Sequence, residues 1–256
     1  MVYKPIIIVA GEPNSIFSEI FFKSLNYKKF RSPIILIGSL KLFELQMKKL
    51  NINKKIRLIN FSDLKKYRLD NKKINLIDVS FNQKKAFDKI SSKSNNYIKR
   101  SFDIALKILE KKITNKFING PVSKKYFLKK KYLGITEYLA YRTKTKNFAM
   151  LIYNKNLSVC PLTTHLPLKK VSKFIEKKMI KEKIKLLDKF FKKYLKQKPR
   201  IAVTGLNPHC ESIDSFNEDE KIIKPTIKSL VKSDYKIFGP FAADTIFLKK
   251  NRKNFN

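Results

Sequence analysis

Tryptophan is absent from this 256-residue chain, and glycine, histidine and cysteine are scarce, with six Gly, two His and two Cys. Two cysteines, Cys160 and Cys210, exclude a disulfide framework, and without a CxxC spacing they exclude a zinc ribbon. A reducing, cytoplasmic setting is the expectation. No apolar run reaches the length a bilayer needs, and the N-terminal "PIIIVA" is too short for a signal peptide. There is no GxSxG elbow for serine hydrolysis, and no GxGxxG dinucleotide fingerprint after the first strand. Acidic side chains are also few: 20 Asp and Glu against 58 Lys and Arg give a formal charge of +38.

That charge, taken alone, predicts attraction to nucleic acid, anionic membrane or acidic small molecules. Its distribution argues for a blander origin. Lys far outnumbers Arg and is spread between apolar positions on nearly every segment, whereas a phosphate-reading surface concentrates charge and uses Arg. A nucleic-acid role is therefore the remote alternative, and no membrane partner is expected.

With 43% hydrophobic residues the chain is long enough to bury a sizeable core. Short apolar runs at 5–10, 32–38, 55–60 and 75–80 read as strands, separated by amphipathic helices at 15–25, 39–50 and 95–112. Strands alternating with helices imply a largely parallel sheet with both faces covered. Further on, 148–153 and 157–164 read as a hairpin around Asn154-Lys155-Asn156, 168–197 as the longest helix, 217–232 as another, and "RIAVTG" as a strand. The fold class is α/β with mixed, mostly parallel sheets, in two lobes at 1–130 and 131–256.

In open α/β sheets ligands bind beyond the carboxyl ends of strands. Five segments place polar residues there: Gly11-Glu12-Pro13, "NGPVSK" at 119–124, Thr163-Thr164-His165, Asn207-Pro208-His209, and Gly239-Pro240 leading to Asp244. His165 and His209 are candidate ligands of a divalent cation, with Asp244 the best-placed oxygen donor; equally, each His can simply cap a loop. The first turn has the shape of an anion site, with Ser15 or Asn14 as N-cap. Ser123 and Lys124 can hold a phosphate or open a tight turn.

Six segments in this order, "GEP" near 11, "GPVSK" at 120, "GITEYLA" at 134, "TTHLPL" at 163, "GLNPH" at 205 and "GPFAADTIF" at 239, resemble the 4-hydroxythreonine-4-phosphate dehydrogenases of vitamin B6 synthesis. The resemblance implies an isopropylmalate-dehydrogenase-like fold, a homodimer with shared active sites, NAD, and a divalent metal (Zn, Mg or Co) bound through His165 and His209. It implies oxidation of 4-phosphohydroxy-L-threonine and decarboxylation to 3-amino-2-oxopropyl phosphate, with Lys124 and Asp244 catalytic and Thr136 and Ile135 beside the substrate. It identifies no NAD-binding residue.

The sequence also departs from the family pattern. Ile135 stands where the family has a histidine, Phe17 where a glycine is expected, and the family's chains continue through a "YHDQG"-like segment with a third metal-binding His. Hence the C-terminal part is expected to be missing, and a shortened member serving as a fragment or a non-catalytic dimer partner is the alternative reading.

Overall fold

The computed structural model describes residues 3–27, 29–129, 131–211 and 215–256. The chain divides into two compact units, Met1–Tyr138 and Leu139–Asn256.

The first unit is a five-stranded, wholly parallel sheet. Strands β1 (Ile6–Val9), β2 (Ile34–Gly38), β3 (Ile56–Leu58), β4 (Ile74–Asp78) and β5 (Phe117–Asn119) stand in the order β3-β4-β2-β1-β5. Strands β1 (IIIV) and β2 (IILIG) are continuous apolar runs, β4 (INLID) adds the buried Asn75, and every residue of β2 is buried. That pattern belongs to a sheet covered on both faces. Helices α1 (Phe17–Tyr27), α2 (Leu40–Lys49) and α3 (Asn95–Glu110) provide the cover. Ser39 caps α2 by accepting the Leu42 N–H. α3 buries Tyr97, Ile98, Phe102, Ala105, Leu106 and Ile108 along one stripe.

Phe102 is wholly buried, with ring centroids 6.0 Å from Phe117, 6.0 Å from Phe127 and 5.6 Å from Tyr138. A short helix α4 (Ile135–Arg142) crosses the boundary between units. The expected strands and helices of this unit are present, with ends displaced by one or two residues.

The second unit differs more from expectation. The segment 168–197 is not one helix. It starts as α5 (Leu168–Val171), tightens to a 3₁₀ turn at Ser172–Phe174, breaks at Ile175 and Glu176, and resumes as α6 (Lys177–Phe190). Ile175 is extended at ψ 100°, which turns its side chain into the core, where it is 6% exposed. A continuous helix would carry Phe174 and Ile175 round different faces, and Phe174 stays 42% exposed.

α6 ends in a wide π turn, Phe191–Leu195, closed by Lys196 in the left-handed region. The expected helix at 217–232 likewise begins as a π turn, Asp219–Ile223, and becomes α7 (Lys224–Val231) around Pro225, which has no N–H to give the preceding turn. The expected hairpin reduces to one antiparallel bridge, Ile152 with Val159, around a turn in which Asn154 accepts the Asn156 N–H. Ile152 and Tyr153 are more than half exposed, so little burial supports longer pairing.

Strands β6 (Ile201–Thr204) and β7 (Ile237–Phe241) pair in parallel, with a register shift between Ala202 and Thr204. Their core joins Ile180 and Ile184 of α6 to Ile227 and Leu230 of α7. A last helix, α8 (Lys249–Arg252), follows. No helix among the described residues is long and apolar enough to cross a membrane.

Candidate functional site

The carboxyl ends of β1 and β5 in the first unit are interlocked. Gly120 N–H donates to the Val9 carbonyl at 2.7 Å, and Glu12 N–H donates to the Pro121 carbonyl at 2.7 Å. Gly11 has φ +76°, and a Cβ there would run into the Pro121 oxygen and sit 2.9 Å from the Gly120 carbonyl carbon. A Cβ on Gly120 would meet the Ala10 oxygen and come within 2.8 Å of the Phe17 ring. Phe17 thus fills the space beside Gly120, stacks on Phe21 at 5.7 Å and packs against the core.

The first turn is closed on itself. Ser15 Oγ accepts the Phe17 N–H at 3.3 Å and donates to the Glu12 carbonyl at 2.7 Å. The Asn14 side chain is taken by Gln83 and by the Asp88 N–H. Glu12 is 2% exposed and accepts the Ser94 hydroxyl at 2.8 Å; burial pushes its carboxyl above the usual range, and the Ser94 hydroxyl and Asn14 N–H pull back. A buried carboxyl and an occupied helix start make this turn a fastening between β1, β5 and α3 rather than an open anion cradle.

The "GPVSK" segment runs into a tight turn, the second of the two possibilities for Ser123 and Lys124. Ser123 Oγ accepts the Tyr126 N–H at 3.1 Å, and its carbonyl accepts from Phe127 and Leu128. Lys124 is exposed on that turn, while Ile135 and Thr136 are half-buried in the first turn of α4.

The second unit holds the other three candidates. Residues on both sides of its core line a cavity of about 380 Å³, among them Leu162 and Thr163, just before His165, and Gly205 and Leu206, just before His209. The two histidine loops therefore leave one cavity wall. His165 is exposed in a left-handed bend at φ 59°, and His209 is exposed in the turn closed by the Cys210 N–H to the Asn207 carbonyl at 3.1 Å.

This second loop is held from below by Asp219, which is fully buried. Its Oδ1 accepts the Leu206 N–H at 2.8 Å, and its Oδ2 accepts the Asn207 N–H at 3.1 Å and the Asn207 side-chain amide at 2.9 Å. Gly205 permits this approach, since a Cβ there would lie 2.6 Å from Cys210 Sγ and 2.9 Å from Asp219 Oδ1. Asp244 is exposed in the turn after β7. Burial raises the Cys210 thiol and the negative charge of Asp219 raises it further, a hydrogen bond with the Gly205 backbone lowers it, and Glu211 and Asp244 add smaller upward pushes.

Sequence reasoning passed over Asp219. It stands between Glu218, which is half-buried, and Glu220, which is exposed, in "NEDEK", and nothing in composition separates the one buried carboxylate from these neighbours.

A catalytic divalent ion takes three protein ligands and an open position. Among the described residues no three of His, Cys, Asp and Glu gather into such a group. His165, His209 and Asp244, the three expected donors, are thus not gathered into a metal-binding group. Glu211 follows Cys210, and residues 212–214 lie outside the described residues.

Residues 29–256 match the family model described as pyridoxal phosphate biosynthetic protein PdxA. The 4-hydroxythreonine-4-phosphate dehydrogenase of Sulfurihydrogenibium sp. is 33% identical over 246 residues, covering 94% of this chain and 74% of that protein. The D-threonate 4-phosphate dehydrogenase of Salmonella typhimurium is 28% identical, covering 96% of this chain and 77% of its own. The crystal structure of a 4-hydroxythreonine-4-phosphate dehydrogenase from Burkholderia phymatum superposes with a TM-score of 0.81 at 25% identity, over 99% of this chain and 78% of that one. The chain thus spans about three quarters of these relatives and shares their α/β fold.

Proposed function

The chain belongs to the PdxA family of pyridoxal phosphate biosynthetic proteins, and on that premise we propose that it is an NAD-dependent oxidoreductase acting on 4-phosphohydroxy-L-threonine. NAD, when bound, would take the hydride from the carbon bearing the secondary alcohol, and the hydroxyl proton would pass to a base of this chain. The resulting β-keto acid loses its carboxyl as carbon dioxide. The electrons of the broken C–C bond form an enolate, which takes up a proton to give 3-amino-2-oxopropyl phosphate.

In this reading Lys124 and Asp244 handle the protons, and His165 and His209 serve the oxygen on which negative charge develops. Thr136 and Ile135 lie along the substrate; Ile135 offers packing only, since it has no hydrogen to donate. A homodimer in a reducing cytoplasm is part of the proposal; the two free thiols, Cys160 and Cys210, support the compartment.

The observation that carries the proposal is the match over residues 29–256, which includes both histidine loops, joined to a relative of the named activity covering 94% of the chain. A second substrate has its own support. The D-threonate 4-phosphate enzyme matches nearly the same span, and that substrate is also a phosphorylated 3-hydroxy acid.

The test follows NADH formation with purified protein, NAD and each substrate in turn, with Zn²⁺, Mg²⁺ or Co²⁺ added. Turnover with one substrate, abolished in His209→Ala, is the expected result. Silence with both substrates under all three metals overturns the assignment.

A further inference from the structure

We propose that Asp219 is a positioning residue for His209, an inference that rests on His209 being a working group of the dehydrogenase proposed above. Asp219 is fully buried and ion-pairs with no Lys or Arg among the described residues, in a chain with 58 such cations. Its charge is met instead by three N–H donors, all on Leu206 and Asn207, at 2.8, 3.1 and 2.9 Å.

A buried carboxylate is costly unless hydrogen-bonded, and here all three of its hydrogen bonds come from the two residues that lead to Pro208 and His209. The loop is further fixed where the Cys210 N–H closes back on Asn207. Gly205 leaves the room, as any side chain there would collide with the Asp219 carboxylate. Carboxylate, bare glycine and Asn207 amide form one clamp, and the exposed imidazole is the side chain at its tip.

The chain has only two histidines, so ring NMR signals resolve His209 with His165 as internal reference. Asp219→Asn keeps shape but sets an amide donor against the Asn207 donors. It is expected to shift or broaden the His209 ring signals and leave those of His165 in place. The exchanged pair Asp219→Asn with Asn207→Asp, which returns a carboxylate to the clamp, is expected to restore them. Asn207→Ala, which removes only the side-chain bond, is the milder arm should Asp219→Asn fail to fold; it moves His209 in the same direction by less.

In turnover, Asp219→Asn lowers kcat about 10–100-fold, the usual effect of losing an outer hydrogen-bond partner, with KM within about threefold. The exchanged pair recovers a large part of kcat. Unchanged His209 signals in both Asp219→Asn and Asn207→Ala overturn the proposal, as does an equal disturbance of His165. If the unaltered protein turns over neither substrate, the dehydrogenase reading fails by itself, and the histidine signals alone decide whether Asp219 sets the His209 loop.

Discussion

Replacing Gly11 by alanine tests the interlock between β1 and β5. An L-residue held at φ +76° costs about 1–2 kcal/mol. The new methyl also runs into the Pro121 carbonyl, which cannot retreat freely because it accepts the Glu12 N–H at 2.7 Å. Overpacking of this kind costs about 1–3 kcal/mol, and a weakened backbone hydrogen bond about 1 more.

The total of roughly 3–6 kcal/mol is a large share of the roughly 5–15 kcal/mol that holds an ordinary domain together. At a urea m-value of about 2 kcal/mol/M it lowers the midpoint by roughly 1.5–3 M. Without tryptophan, unfolding is followed by far-UV circular dichroism. Gly11→Asn separates the two terms, since asparagine tolerates the left-handed region but carries the same Cβ. An alanine variant within about 0.5 kcal/mol of the parent would refute the interlock, and full stability in the asparagine variant would show that collision plays no part.

Four further outcomes are expected. Phe102→Ala, which empties the aromatic centre of the first unit, lowers stability by about 3–5 kcal/mol in the same urea titration; a loss under 1 kcal/mol contradicts the packing described. Glu12 has its folded carboxyl above the unfolded value of about 4.3, so the folded state binds that proton more tightly and its contribution falls as pH rises through the carboxylate range. The stability of Glu12→Gln relative to the parent therefore increases with pH over that range, and a flat difference across urea titrations at successive pH values sinks the argument. With a net charge of +38, raising NaCl from about 0.02 to 0.2 M screens self-repulsion and raises the melting temperature; a fall on adding salt contradicts it. Lys124 is exposed, so Lys124→Ala leaves the melting temperature unchanged within about 1 °C while NADH formation drops; equal loss of both shows a structural lysine instead.

The first unit was legible because its strands are buried on both faces and its helices have one apolar stripe each. Burial and periodicity then say the same thing. The stripe on α3 names Tyr97, Ile98 and Phe102, and all three are buried. The second unit was less legible for two reasons. Its long apolar-periodic segment conceals a break, because Ile175 reaches the core by leaving the helix, which periodicity cannot distinguish from continuing it. Pro225 and the π turn before it reset the helical phase in a stretch that reads as one element.

At the candidate site, sequence position singled out His165 and His209, since residues after apolar runs are few and His is rare; β6 does precede His209, whereas only the bridge at Val159 precedes His165. It did not find what holds one of them, since Asp219 is distinguished only by burial.

Strand β1 has two neighbours made at very different times. Its register with β2 is available once Ile37 has been synthesised, but Val9 pairs with Asn119, about 110 residues further along the chain. At translation rates of about 5–20 residues per second, that second partner arrives roughly 6–22 s after the strand itself. During this interval an Ile-rich strand presents one open row of N–H and C=O groups, the kind of edge on which unrelated chains pair. The nascent chain is therefore most exposed to misassembly before β5 emerges, and a chaperone that shields residues 6–9 until then would serve its yield more than its final stability.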